Sequence, residues 1–381
     1  MPKKIVILGT AHPLRGGLAA YNERLAKAFL ERGDEVLIYT FSLQYPGFLF
    51  PGKTQYSGEP PPEGLNIKVK VNSINLFNWY KTGKEIARLK PDLLIVKFWI
   101  PFMAPCLGTI ARLAKKNKHT KVISIIDNII PHEKRPGDRV LAKYWVNSVD
   151  GFIVMAKAVE EELKQFTTSK PIIYNPHPLY DNFGEIIPKQ KARERLGLEP
   201  EGKYILFFGF IRDYKGLDIL LDAMADERIK KLGVKLIVAG EFYTSGTPYL
   251  EQIKALKIQD SVLLHTDFIP DSKVGLYFSS ADVVVQPYKT ATQSGVTQIC
   301  YHFEKPVITT NVGGLPEIVK DGRTGFIVNP EPKEIADAVY KFYSSAKEQE
   351  MLPFIREEKK YFSWENLLKN IDVLSKEIKS L

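Results

Sequence analysis

One rhythm constrains this chain more than any other feature. A short, continuous apolar run is followed by a segment whose apolar residues fall at helical spacing, and the series runs through twice. In the first half the runs read as strands at Lys4–Gly9, Glu35–Thr40, Asn66–Val71, Asp92–Phe98, Thr120–Ile126 and Phe152–Met155. Stretches such as LLIV and VISII lack polar alternation, as strands buried on both faces of a parallel sheet do. After the first run, Leu18, Tyr21, Leu25, Ala28 and Phe29 form a helical stripe, and Gly33 supplies the stop.

The rhythm breaks at a proline- and charge-rich stretch beginning at Pro171, which places a linker near 178–198. It restarts with strands at Tyr204–Phe208, Lys235–Ala239, Val262–His265, Val283–Gln286, Pro306–Thr309 and Gly325–Val328. The expectation is an α/β protein of two tandem Rossmann-like doubly wound domains, 1–178 and 199–361. A chain of 381 residues has the length for two domains of roughly 100–200 residues each. Over 362–381, Trp364, Leu367, Leu368, Ile371, Leu374, Ile378 and Leu381 share one face. That amphipathic helix either caps the second domain or crosses back to the first.

Charge narrows the function classes. The 53 basic and 44 acidic residues leave a net +9, which suits an anionic small molecule, an anionic membrane surface or nucleic acid. Nucleic acid is the weakest of these, because the lysines are scattered and no arginine tract, zinc-finger spacing or aromatic RNP-like motif occurs. The opening MPKKIVILGT reads as a first strand rather than a signal peptide, and no apolar run reaches the roughly 18 residues of a membrane span. Cys106 and Cys300 read as buried structural thiols in a reducing, cytoplasmic protein. The proline-rich segment Gln44–Gly64 carries Tyr45, Phe48, Leu49 and Phe50. It is either packed on its own domain or a lip for acceptor or membrane.

Open parallel sheets bind ligands beyond the carboxyl ends of their strands, so the residues there are the site candidates. After the first strand come His12, Arg15, Gly16 and Gly17, at the start of a helix. Glycines there let a ligand approach free N–H groups, although a plain glycine turn reads the same. The spacing is not GxGxxG, which disfavours a dinucleotide oxidoreductase. After Ile126, Asp127, His132, Glu133, Lys134 and Arg135 cluster. Asp127 or His132 could orient or deprotonate a hydroxyl, or the segment is a solvated loop with a capping Asp. In the second half Gly209, Arg212 and Lys215 stand between a strand and a helix, a setting that suits a diphosphate. TATQSG leads into another helix through Gln293, Ser294, Gly295, Val296, Thr297 and Gln298, and Gly313 and Gly314 precede Glu317.

These pieces, in this order, resemble the retaining glycosyltransferases of family 4. RGG before a helix ending in ERGDEVLIYT, FGFIRDYKGLDILLDAM, SSADVVVQPY, KPVITTNVGGLPEIVKDGRTGFIVNP and SWENLL together span nearly the whole chain. The resemblance implies a GT-B fold with a deep interdomain cleft. It implies a nucleoside-diphosphate sugar as co-substrate on the C-terminal domain, a carbohydrate or lipid-linked acceptor on the N-terminal one, and no metal or other cofactor. Arg212, Lys215, Asp127 and His132 would then be catalytic. Gly209, Gln293, Ser294, Gly295, Val296, Thr297, Gln298 and Glu317 would bind the donor, and His12, Arg15, Gly16 and Gly17 the acceptor. The location implied is cytoplasmic, with a peripheral contact at the inner face of the membrane.

The chain departs from the family pattern in three places. Counting back from Pro306, the family's Glu–seven residues–Glu positions are Ala291 and Ile299, with Gln298 beside the second. Phe210 stands where an arginine commonly follows the glycine, and Arg212 lies two residues on. The first-domain His-Asp pair is Ile126–Asp127. A divergent transferase, an inactive nucleotide-sugar-binding relative and a GT-B-like sugar-nucleotide epimerase all stay open, the last without a convincing carboxylate pair.

Overall fold

A computed structural model describes residues 2–47, 54–131, 135–292 and 294–378. The chain divides into two units, Met1–Pro178 with Ser363–Leu381, and Leu179–Phe362.

The first unit is built on seven parallel strands: β1 (Lys4–Leu8), β2 (Glu35–Leu43), β3 (Ile67–Asn72), β4 (Leu93–Phe98), β5 (Lys121–Ile126), β6 (Gly151–Val154) and β7 (Ile172–Tyr174). Their order is β3-β2-β1-β4-β5-β6-β7. Ile5 of β1 lies opposite Val36 on one side and Leu93 on the other, and every residue of β4 is buried. That burial is why these strands read as unbroken apolar runs. β7 is the exception. It has three half-buried residues directly after Pro171, too few to show a period, and the sequence reading gave them to the domain boundary.

Helix Trp364–Glu377 belongs to this first unit. Ser363 caps it by accepting from Asn366 N, and Trp364, Leu367, Leu368, Ile371 and Leu374 are buried beneath it. Close approach depends on Gly151 of β6, where a Cβ would stand 2.9 Å from Leu374 Cδ1. Asp372 ties the helix to Lys3 at 2.7 Å and to Arg32 at 2.9 Å.

The second unit holds six parallel strands: β8 (Lys203–Phe208), β9 (Val234–Ala239), β10 (Val262–His265), β11 (Val283–Gln286), β12 (Val307–Thr310) and β13 (Gly325–Val328). The order is β10-β9-β8-β11-β12-β13. The stretch 178–198, read from sequence as a linker, is instead largely part of this unit and contains helix Lys189–Arg195. Most of its charges are exposed, but Arg193 is buried and Lys189 half-buried. Arg193 donates to Ser280 O and to Asp282 Oδ1 at 2.8 Å, and Asp282 also accepts from Lys189, Tyr204 N and Tyr343 OH.

In each sheet the chain builds outward one way, returns to the middle, and builds the other way. The switch falls between β1 and β4, and between β8 and β11. Loops leaving the strands at such a point splay apart and leave room for a ligand.

Truncating Ile371, fully buried under the last helix, to alanine is expected to destabilise the first unit by about 2–5 kcal/mol. The solvent-facing Val373→Ala should stay within roughly 0.5 kcal/mol of the parent. Denaturant unfolding checks both.

Candidate functional site

At the switch point of the second unit, β8 ends at Phe208 and the chain turns at Gly209, whose φ is 98°. The loop then runs beside the one leaving β9. Ile211 N donates to Glu241 O at 2.9 Å, and Tyr243 N donates to Ile211 O at 3.0 Å. This pairing sets the Arg212 guanidinium 3.5 Å from the centroid of the Tyr243 ring, a cation–π contact that orients it. A 3-10 turn, Asp213–Lys215, and Gly216 lead into helix Leu217–Met224. Gly216 has φ 69°, and a Cβ there would lie 1.9 Å from Pro287 O. Only glycine lets the loops after β8 and β11 come this close.

Lys215 is folded into this junction. A Cβ on Gly209 would stand 2.9 Å from its Nζ, and the Tyr288 ring centroid is 5.8 Å away. Its side chain is buried, and no acid among the described residues pairs with it. Burial, and then the neighbouring Arg212 charge, push its pKa down to about 7. Two cations thus stand together at a strand end, one of them desolvated and without an anion.

Across the switch point, helix Gly295–His302 is held by a small clamp. Ser294 Oγ accepts from Val296 N and from Gln286 Nε2 at 2.7 Å, and Thr297 Oγ1 donates to Gln286 Oε1 at 2.8 Å. Ser294 and Thr297, read from sequence as donor ligands, thus use their hydroxyls in fixing the helix start. Gly295 makes room for Tyr180, whose Cε2 would be 2.7 Å from a Cβ there. Val296 is half-buried in the first turn. Gln298 is fully buried, and neither its Oε1 nor its Nε2 has a hydrogen-bond partner among the described residues. An orphaned amide of this kind needs a reason. Gly313, with φ 52°, is pressed so tightly on the Ala291 carbonyl that a Cβ would overlap it at 1.5 Å. Gly314 N donates to Thr292 O at 3.0 Å, which brings the short helix Leu315–Ile318 and half-buried Glu317 beside the 291–294 loop. Gln293 lies outside the described residues.

In the first unit, His12 and Arg15 hold neighbouring chain. His12 N donates to Glu23 Oε1 at 2.7 Å, and its Nε2 lies 3.2 Å from Glu59 O. Arg15 Nε donates to Thr54 O at 2.9 Å, and Leu14 bridges to Tyr56. Gly16, with φ 99°, has open space where a Cβ would be, and exposed Gly17 starts the helix Gly17–Glu31. Asp127, just past β5, accepts from Lys97 Nζ at 2.8 Å. Its carboxylate is thus the counter-ion of a buried ammonium. His132 lies outside the described residues, as do Phe48, Leu49 and Phe50 of the aromatic loop. Tyr45 of that loop is packed on its own unit, accepting from Trp99 Nε1 at 2.6 Å and stacking on Phe102.

Lys97, Tyr21 and His177 escaped the sequence reading. The Lys97 ammonium sits 3.5 Å from the Tyr21 ring centroid, and Tyr21 meets His177 edge-on. Burial, then the Lys97 charge, push the His177 pKa down to about 3, so the imidazole is neutral. A lysine at the end of an otherwise apolar strand, LLIVKF, was the available signal. Tyr243 and Tyr288 had none. Among the described residues no three His, Cys, Asp or Glu side chains converge as a metal site.

Two parallel sheets of this order, in two successive α/β units, are the GT-B fold. The chain belongs to the family-4 glycosyltransferases: residues 15–179 match the model described as Glycosyltransferase Family 4, and 202–345 match Glycosyl transferases group 1. It is similar to the D-inositol 3-phosphate glycosyltransferase of Paenarthrobacter aurescens, 28% identical across 88% of this chain and 86% of that protein. With the protein of the same name from Segniliparus rotundus, identity is 30% over 47% of this chain and only 41% of that protein. Among solved structures, Anabaena HepE in complex with UDP superposes with a TM-score of 0.73 at 18% identity, covering 98% of this chain and all of that one (100%). Sucrose-phosphate synthase from Thermosynechococcus elongatus gives 0.72 at 16%, covering 98% and 99%.

The lowered pKa of Lys215 has a consequence for the ligand-free protein. The unfolded chain binds one more proton here between about pH 7 and 10.5, so this residue makes stability rise with pH through that window. Below about pH 7 the penalty of the buried charge is fully present. Lys215→Met should therefore melt higher than the parent at pH 7, by on the order of 2–4 °C for each kcal/mol relieved. The gap should close toward pH 10.5, as scanning calorimetry without ligand would show.

Proposed function

We propose that this chain transfers a sugar from a nucleoside-diphosphate sugar, UDP- or GDP-linked, to a hydroxyl of a carbohydrate or lipid-linked acceptor, with retention of configuration and without a metal. The observation that carries the reading is the buried Lys215, without an acidic partner among the described residues, beside Arg212 at the switch point of the second sheet. A departing diphosphate develops negative charge, and preorganised cations in a desolvated site stabilise it. Arg212, already oriented by Tyr243, can hold two phosphate oxygens, and Lys215 acts as a point charge. The amide ends of helix Gly295–His302 add their dipole. Gly209 leaves the backbone open to the phosphates. Gln298 would donate and accept toward donor hydroxyls, which gives its orphaned amide a partner, and Gln293 and Glu317 are proposed as further donor contacts.

The acceptor would meet the first unit at Gly16, where a Cβ would have open space, with Gly17 and Asp127 as further proposed contacts. Because Asp127 is paired with Lys97, it orients rather than abstracts. The leaving phosphate then takes the hydroxyl proton as the new glycosidic bond forms on the same face. HepE has been solved with UDP and with UDP-glucose, and the inositol-phosphate enzymes take a hydroxylated acceptor by name; both agree with the reading. The buried free thiols Cys106 and Cys300 suit work in the cytoplasm. A second reading, donor binding without transfer, is favoured by Ala291 and Ile299, which place no carboxylate where the family commonly has two.

Calorimetric titration with UDP, GDP, ADP and dTDP, with and without EDTA, tests the donor site. One diphosphate should bind, indifferent to EDTA, and Lys215→Ala should weaken it at least about tenfold, or about 1.4 kcal/mol. No binding by any nucleotide to folded protein would contradict the reading. Binding of the corresponding nucleotide-sugar with neither hydrolysis nor transfer would select the second.

A further inference from the structure

Two carboxylates share a turn with the two cations at the strand end of the second unit. Asp213 lies between Arg212 and Lys215 in sequence, and Asp218 follows in the first turn of helix Leu217–Met224. Acids this close ordinarily pair with such cations and cancel the positive field that an anion needs. Among the described residues neither does so. Arg212 rests on Tyr243, and no ion pair joins either cation to Asp213, to Asp218 or to Glu241, the buried acid of the loop after β9.

Both carboxylates are taken instead by one residue of the loop after β11. Lys289 Nζ lies 2.7 Å from Asp213 Oδ1 and 2.9 Å from Asp218 Oδ2. No other cation among the described residues pairs with either acid. Asp218 Oδ1 is buried without a partner among the described residues, so Lys289 is the one counter-charge of that carboxylate. A backbone frame holds the clasp. Lys289 N donates to Tyr214 O at 2.7 Å, Tyr214 meets Tyr288 edge-on, and Gly216 presses on Pro287. Burial works against the Lys289 charge, but the bonds to the two acids outweigh it and raise its pKa, so it is an ammonium at neutral pH. Burial and then the charges of Asp218 and Asp213 raise the pKa of Tyr249, whereas Lys215 is moved by burial and Arg212 alone. The carboxylates thus act toward Tyr249 and not toward Lys215.

We propose that Lys289 is a positioning residue for the reaction: by drawing Asp213 and Asp218 to itself it keeps both carboxylates off Arg212 and Lys215, and so leaves those two cations to the diphosphate of the donor. The inference rests on the reading of Arg212 and Lys215 as the donor site and adds the residue that keeps the site positive. Without Lys289 the half-buried Asp218 loses its one counter-ion, and a carboxylate in that position turns to the next cation in reach. Along this chain those cations are Lys215 and Arg212. An acid paired there is a competitor that the donor must displace. Ion pairs as exposed as that with Asp213 contribute little to stability, so the value of the arrangement lies in where it points two negative charges.

Two readouts test it, the first without ligand. In protein carrying isotope-labelled lysine, the NMR titration of Lys215 is identified by its loss in Lys215→Met. Its midpoint should move from about 7 in the parent to about 8 or higher in Lys289→Met, because a carboxylate beside an amine favours the charged form. Lys289→Arg should keep the parent midpoint. The second readout is calorimetric titration with UDP, GDP, ADP and dTDP. The diphosphate that the parent binds should bind Lys289→Met at least about fivefold more weakly, and Lys289→Arg should recover the affinity. Adding Asp213→Asn and Asp218→Asn to Lys289→Met should restore binding to within about twofold of the parent, while the same two changes with Lys289 in place should alter it by less than about twofold. Asp213→Asn alone, at a side chain 86% exposed, puts the fold at least risk and should recover part of the loss. An unmoved Lys215 midpoint in Lys289→Met overturns the proposal. So does a loss that the asparagines do not recover, which would put Lys289 on the phosphate itself. So does an equal gain from the asparagines with and without Lys289, which would be a plain charge effect. If no nucleotide binds the parent, the donor-site reading falls, and the Lys215 midpoint still decides whether Lys289 diverts the acids.

Discussion

A lysine out of water without a counter-ion is an expensive arrangement, and much of the second unit's local structure exists to hold one. Isolated buried charge is disfavoured strongly enough that such groups pair, shift their pKa or meet a ligand. Lys215 has shifted, to about 7. The surroundings leave it no escape. Gly209 closes on its Nζ, Gly216 presses the next turn against Pro287, and a Cβ on Gly240 would stand only 2.2 Å from Gly209 O. Three strand-end loops are thereby packed together by glycines at positive φ, and Arg212 is stacked on Tyr243 rather than free to swing. Close packing and a desolvated, shifted charge gathered at one strand end are characteristic of a functional site.

The first unit meets the same problem and solves it internally. Lys97 is as buried as Lys215, yet Asp127 pairs with it and Tyr21 offers a ring face. His177 stays neutral beside it. The result is an electrically balanced strand end in one unit and a positively charged one in the other. The proposed reading puts the anionic donor at the second unit on the strength of this contrast. On the proposed reading Asp127, held as the partner of Lys97, orients the acceptor while the leaving phosphate accepts the proton.

Much of this architecture was legible in the sequence, because parallel strands buried on both faces leave unbroken apolar runs. What failed was whatever depended on partners far along the chain. Ile172–Tyr174 is too short to show a period. Lys189 and Arg193 look solvated in sequence, but Asp282, some ninety residues on, draws them inward. The glycines and cations after β8 were visible as a candidate site, since glycine at a strand end and nearby charge are local signals. The side-chain geometry was not. Sequence did not show that the hydroxyls of Ser294 and Thr297 bond to Gln286, or that His12 and Arg15 bond to Glu59 and Thr54. Gln298 was named from sequence for its place beside the second family glutamate position; what sequence could not show is that its amide is buried with no partner among the described residues.

The central claim is that Lys215 is held nearly neutral until an anion restores its charge. Calorimetric titration of the cognate nucleotide-sugar at about pH 8, in buffers of different ionisation enthalpy, tests it directly. A nucleotide-sugar is the proper ligand because its diester-like phosphates do not titrate near neutrality, so any proton exchanged belongs to the protein. The account predicts a buffer-dependent heat showing proton uptake on binding, approaching one proton, and its disappearance in Lys215→Met. Tight binding with a heat that is the same in every buffer would contradict it, and would mean that Lys215 is either already charged in the free protein or never meets the ligand.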